Sequence, residues 1–153
     1  MAADVPAKLP LVLTAEGRAW LQARMDRLAA RLESLERELA RGRTDDLIAE
    51  QRTLRDQADE LSRTLRDAVA PGDVVDDPTI VELGDEVEVA FDDGSREAFL
   101  VVHPLEAALD DHRTSAEAPL AQAVLGRRPG DVVTVSAPAG AYRCTIVRRD
   151  RIG

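Results

Sequence analysis

The stretch LQARMDRLAARLESLEREL, residues 21–39, places Leu21, Met25, Leu28, Leu32, Leu35 and Leu39 at steps of 4, 3, 4, 3 and 4. That is the heptad seam of a helix packed lengthwise against another helix. A second run repeats it, with Leu47, Gln51, Leu54, Ala58, Leu61, Leu65 and Ala68 at steps of 4, 3, 4, 3, 4 and 3. Between the seam positions Arg, Glu and Asp dominate, as solvated faces require. Neither run holds an interior proline. Thr14 can cap the first helix, and Glu16 opposes the positive end of its dipole.

Arg41-Gly42-Arg43-Thr44 interrupts both seams. Gly42 suits the left-handed residue that ends a helix, and Thr44 can cap the next one, with Asp45 and Asp46 in its first turn. So short a connection folds the helices back side by side. The sequence therefore predicts an antiparallel coiled-coil hairpin over residues 1–72, with helices at about 14–41 and 44–70 and Pro71-Gly72 as the stop. At about 1.5 Å per residue the arm is about 40 Å long. Dimerisation is the competing reading of any heptad pair. The four-residue connection favours an internal hairpin and a monomer.

Beyond a linker at residues 73–79, the period changes to that of strands. Val87, Val89 and Phe91 alternate with Glu86, Glu88 and Ala90, and Asp92-Asp93-Gly94-Ser95 makes a turn whose glycine suits a positive φ. Phe99 to Val102 return, and His103-Pro104 ends that strand. After a polar stretch, Asp110 to Thr114, a short helix begins near Pro119. Val132, Val133 and Val135 form another strand, and Tyr142, Cys144, Ile146 and Val147 belong to the last. Residues 80–153 thus read as a small antiparallel sheet with one short helix, and the chain as α+β.

Composition narrows the function. The net charge is −9, and residues 71–153 hold 8 basic against 16 acidic side chains. Such a surface repels phosphate backbones, so direct sequence-specific DNA binding is not expected and a protein partner is. No apolar run approaches membrane-spanning length, and the first ten residues lack the pattern of a secretory signal. The lone Cys144 cannot form an intramolecular disulfide and suits a reducing cytoplasm, the expected location. His103 and His112 are too isolated to suggest a metal cluster, and Cys144 reads as a small buried hydrophobe. No nucleophile elbow, Walker loop or dinucleotide turn is present, so no catalytic residue, cofactor or resident metal is expected.

Three segments resemble the Gre family of bacterial transcript-cleavage factors (GreA/GreB-like). Leu13-Thr14-Ala15-Glu16-Gly17 is similar to the family's "LTxEG". The run from Ala118-Pro119-Leu120 to Leu125-Gly126-Arg127 is similar to "SPxxxxLLGK". Gly130-Asp131-Val132-Val133 followed by Ala137-Pro138-Ala139-Gly140 is similar to "GDxVxVxTPxG". The resemblance implies an FKBP-like second domain and RNA polymerase as partner, with that domain at the rim of the secondary channel and the hairpin inside it. It also implies that Glu117, Ala118 and Pro119 face the polymerase, although the family commonly has Ser at the place of Ala118.

The resemblance further implies acidic tip residues that help the polymerase hold a second Mg²⁺. Two metals about 3.5–4 Å apart activate a water and stabilise the leaving oxygen. Here the sequence departs from the family. Where the family reads "GDLSEN", this chain has Gly42-Arg43-Thr44-Asp45-Asp46-Leu47. Asp46 keeps one acid, one methylene shorter. Arg43 replaces the other and repels a cation, while Asp45 adds a carboxylate at a different angle. The expectation is a polymerase-binding regulator that inhibits transcription, does not cleave RNA efficiently and is at most a cofactor of the polymerase's own activity. Asp45 and Asp46 are left near the polymerase Mg²⁺. The alternatives are an active cleavage factor that rescues backtracked polymerase, an Rnk-like regulator with a shorter hairpin, a prolyl isomerase, and a coiled-coil adaptor unrelated to transcription. The scarcity of aromatics, 3%, weighs against the isomerase.

Overall fold

A computed structural model describes residues 11–71 and 77–151. Two compact units emerge, Glu16–Ala68 and a second that joins the residues up to Ala15 with those from Val69 onward.

The first unit is the hairpin. Helix α1 spans Ala15–Arg41 and α2 spans Asp45–Asp67. All thirteen seam positions named above are buried or half-buried, with Leu21, Leu35, Leu39 and Ala58 buried within the helices. Two arginines tie the pair. Arg31 reaches Glu50 across the seam, and Arg18 donates to the carbonyls of Leu65 and Ala68 at 3.0 and 2.7 Å. The last carbonyls of a helix have no partner inside it, so Arg18 supplies one.

Helix α2 stops at Asp67, three residues short of the expected end, because the chain is needed elsewhere. Ala68 is extended, with φ −71° and ψ 142°. Val69 then pairs with Leu11 and Leu13, as Leu13 N donates to Val69 O and Val69 N to Leu11 O, both at 2.9 Å. This parallel bridge, centred on Val12 and Val69, clasps the two chain segments that flank the hairpin. Gly42 lacks the positive φ expected of it. Of the expected helix stop and linker, Gly72 and residues 73–76 lie outside the described residues.

The second unit is a five-stranded sheet. Its elements are β1 (Asp85–Phe91), β2 (Arg96–Val102), a 3-10 turn (Pro104–Glu106), β3 (Arg113–Ser115), α3 (Pro119–Val124), β4 (Val132–Ala137) and β5 (Gly140–Arg151). The order across the sheet is β3-β2-β1-β5-β4. All neighbours are antiparallel except β2 and β3, which run parallel and make the sheet mixed. The polar residues at Arg113–Ser115 hide that strand from a periodicity reading. Gly94 has the positive φ expected in the β1–β2 turn, 87°.

The inner face carries the core. Val87, Val89, Phe99, Val101, Val133, Val135, Cys144 and Ile146 pack with Ala121 and Val124 of α3 and with Val12. Buried charges are paired, as their desolvation demands. Asp85 accepts from Arg149 Nε at 3.0 Å and Arg151 Nε at 2.8 Å. Buried Glu106 accepts from Thr14 N at 2.9 Å, Thr14 Oγ1 at 2.7 Å and Arg113 Nε at 3.2 Å. Among the described residues, no helix is long and apolar enough to cross a membrane.

Candidate functional site

The connection between α1 and α2 is three residues, Gly42, Arg43 and Thr44. Thr44 is extended, at φ −119° and ψ 156°, and its hydroxyl accepts from Leu47 N at 3.3 Å. Its carbonyl accepts from Ile48 N at 3.0 Å, which starts the α2 ladder. Thr44 is therefore the cap the sequence predicts. Gly42 N donates to Glu38 O at 3.2 Å and ends the preceding helix. Arg43, Thr44, Asp45 and Asp46 are all exposed. The carboxylates of Asp45 and Asp46 sit in the first turn of α2, where the free N–H groups and the dipole favour negative charge.

The tip thus combines one guanidinium with two neighbouring carboxylates in water. Mg²⁺ takes oxygen ligands in near-octahedral geometry and keeps several waters. Two carboxylates can complement a metal held by another protein. They do not form a cage, and among the described residues no group of three or more His, Cys, Asp or Glu could hold an ion.

Glu117, Ala118 and Pro119 lie in the sheet unit, at the start of α3. Ser115 organises them, since its Oγ accepts from Glu117 N at 3.1 Å and its carbonyl from Ala118 N at 2.9 Å. Ala118 is the N-cap residue and makes no side-chain cap bond. Gln122 Nε2 donates to Ala116 O at 2.8 Å and so ties the helix to the segment before it. Pro119 occupies the first turn, where its missing N–H costs nothing. Glu117 and Pro119 are exposed and Ala118 half-buried.

Sequence reasoning missed a polar cluster elsewhere in the same unit. Glu106 and Arg113 meet only because the 3-10 turn and β3 converge, with Asp110 as a further partner of Arg113. Nearby, His103 Nδ1 accepts from Leu105 N at 3.2 Å, and burial holds its pKa below the ordinary imidazole value. Burial likewise raises the Cys144 thiol, which fits a core residue better than a nucleophile.

Residues 76–148 match the family model described as transcription elongation factor, GreA/GreB, C-term. Over 155 aligned residues the chain is 33% identical to the transcription elongation factor GreA of Chloroflexus aggregans, covering 91% of this chain and 96% of that protein. The chain belongs to the GreA/GreB family of transcription elongation factors. Transcription elongation factor GreA of Geobacillus kaustophilus is 31% identical over 147 residues, covering 88% and 93% of the two chains. Among solved structures, the GreA factor homolog 1 (Gfh1) of Thermus thermophilus is 27% identical, covers 93% of this chain and 99% of its own, and has a TM-score of 0.42. The tip and the start of α3 are the candidate working surfaces of this Gre-family chain.

Proposed function

We propose that this chain binds RNA polymerase at the rim of the secondary channel, enters the channel with its hairpin, and inhibits transcription without efficient RNA cleavage. The observation that carries the reading is Arg43. It is exposed in the connection at the tip, where the family resemblance calls for a carboxylate. A cation there opposes the recruitment of a second Mg²⁺, which two-metal hydrolysis needs. Asp45 and Asp46 remain to perturb the metal the polymerase already holds, or to obstruct nucleotide entry. On this reading the chain acts as a cytoplasmic monomer with no cofactor and no catalysis of its own, and any Mg²⁺ it meets is the polymerase's.

Glu117, Ala118 and Pro119 are the proposed contact with the rim. The exposure of Glu117 and Pro119, and a helix start fixed by Ser115, support that role. A pull-down with Pro119→Arg tests it, and undiminished polymerase binding removes this patch from consideration.

The deciding assay uses stalled, backtracked elongation complexes. The expected result is polymerase binding and reduced RNA synthesis, with transcripts that keep their length. Robust shortening of the backtracked RNA would sink the non-cleaving reading in favour of a cleavage factor. Failure to bind polymerase at all would leave the hairpin as an adaptor for another protein.

A further inference from the structure

The chain has four aromatic residues, and they are not used alike. Trp20 lies in α1 and Phe99 is buried in the core of the sheet. Phe91 and Tyr142 lie together, with ring centroids 5.9 Å apart and planes tilted by 51°. Phe91 is half-buried and Tyr142 is 39% exposed. Strand register explains the meeting. Phe91, the last residue of β1, pairs with Cys144, two residues from Tyr142 on β5. Side chains two apart share a face, so both rings follow the inner face past the end of its core.

Carboxylates adjoin the rings, while Arg143, next to Tyr142 in the chain, lies on the opposite face of β5. The Tyr142 phenol is raised first by burial and then by Cys144 and Glu97, and the Cys144 thiol is raised first by burial and then by Asp92. Glu97 pairs in register with Val89 of the inner face and so shares the face of the rings, Asp92 directly follows Phe91, and both carboxylates are exposed. Arg96 is engaged with Glu88 at 3.1 Å.

Exposed aromatic pairs are typical anchors of protein interfaces, and a ring face attracts a guanidinium. The carboxylates select the partner. They repel nucleic-acid phosphates and anionic lipid, and a second copy would bring the same acidic edge against itself. We propose that Phe91, Tyr142 and the adjoining Glu97 form a docking site for an arginine-bearing segment of a partner protein, the guanidinium lying over the Tyr142 ring and pairing with Glu97. The site uses none of the residues on which the polymerase reading rests and does not depend on that reading.

The test is an NMR titration of the full chain with a blocked tetrapeptide that holds one arginine. Two controls replace that arginine with norleucine or with glutamate. The arginine peptide should shift the Phe91 and Tyr142 ring resonances to saturation, and the controls should not. Glu97→Gln should weaken the response by about two- to fivefold, the size of one surface ion pair or cation–π contact. Tyr142→Ala should remove it. Should Tyr142→Ala lose its fold, Glu97→Gln, which alters an exposed side chain only, carries the test. An equal response to the arginine and norleucine peptides, or no response at these rings, overturns the proposal.

Discussion

Arg31 of α1 grips Glu50 of α2 through Nε at 2.8 Å and Nη2 at 3.0 Å, while its Nη1 donates to Glu38 at 3.0 Å. Only a guanidinium offers this planar fork. Arg31→Lys is expected to lower the melting temperature slightly, and less so in molar salt, because the pair is partly exposed and screened. The pairing also has a pH signature. The hydrogen bond from Arg31 holds the Glu50 carboxyl below its ordinary value of 4.5. Its contribution is therefore complete above that pH and is lost as pH falls through the lower folded value. Acid titration followed by circular dichroism should show wild type and Arg31→Lys converging at the acid end.

Leu35 is a fully buried seam residue of the hairpin. Leu35→Ala should cost about 2–5 kcal/mol in urea denaturation, the usual range for truncating a buried leucine. A loss below 1 kcal/mol would mean that the seam closes around the deletion.

Glu106→Ala removes the buried acceptor of Thr14 and Arg113 at once. Breaking a buried charge pair costs about 3–5 kcal/mol. Thr14→Val, which deletes a single neutral donor, should cost closer to 1 kcal/mol. Equilibrium unfolding of the two variants separates these values.

Gly84 has φ +91°, and a Cβ there would stand 2.7 Å from Pro71 Cγ and 2.9 Å from Pro71 Cβ. Gly84→Ala combines backbone strain with that overlap, for a loss of about 1–3 kcal/mol in thermal unfolding. Gly94→Ala, with open space around it, should suffer the strain alone.

Arg43→Asp returns a carboxylate to the tip. On the proposed function it should raise cleavage of backtracked RNA by about tenfold, equivalent to about 1.4 kcal/mol of transition-state stabilisation. Unchanged cleavage with intact polymerase binding would show that the charge of residue 43 is not what limits the reaction.

Local patterns carried much of this fold into the sequence. The heptads of Leu21 to Leu39 and Leu47 to Leu65 need only the chain itself to be read, and so does the cap at Thr44. The misses depend on distant partners. Ala68 continues the seam spacing yet leaves the helix, because Val69 pairs with Leu11 and Leu13. Arg113–Ser115 looks like a loop until β2 lies alongside it. The charged run after Val147 continues β5 to Arg151 because Asp85 waits opposite. At the candidate site, the composition of the tip was legible in one dimension. The meeting of Phe91 with Tyr142 required the β1–β5 register.

The position of β5 also has a consequence during synthesis. Among the described strands it is the last to leave the ribosome, yet it lies inside the sheet, between β1 and β4. The Arg31–Glu50 tie spans 19 residues, whereas Asp85–Arg151 spans 66 and Thr14–Glu106 spans 92. Short loops close first, so the nascent chain carries a finished hairpin while Val87 and Val89 still await their neighbours. Over that interval the edge of β1 that β5 will cover is an unpaired strand edge, the kind of surface that invites misassociation.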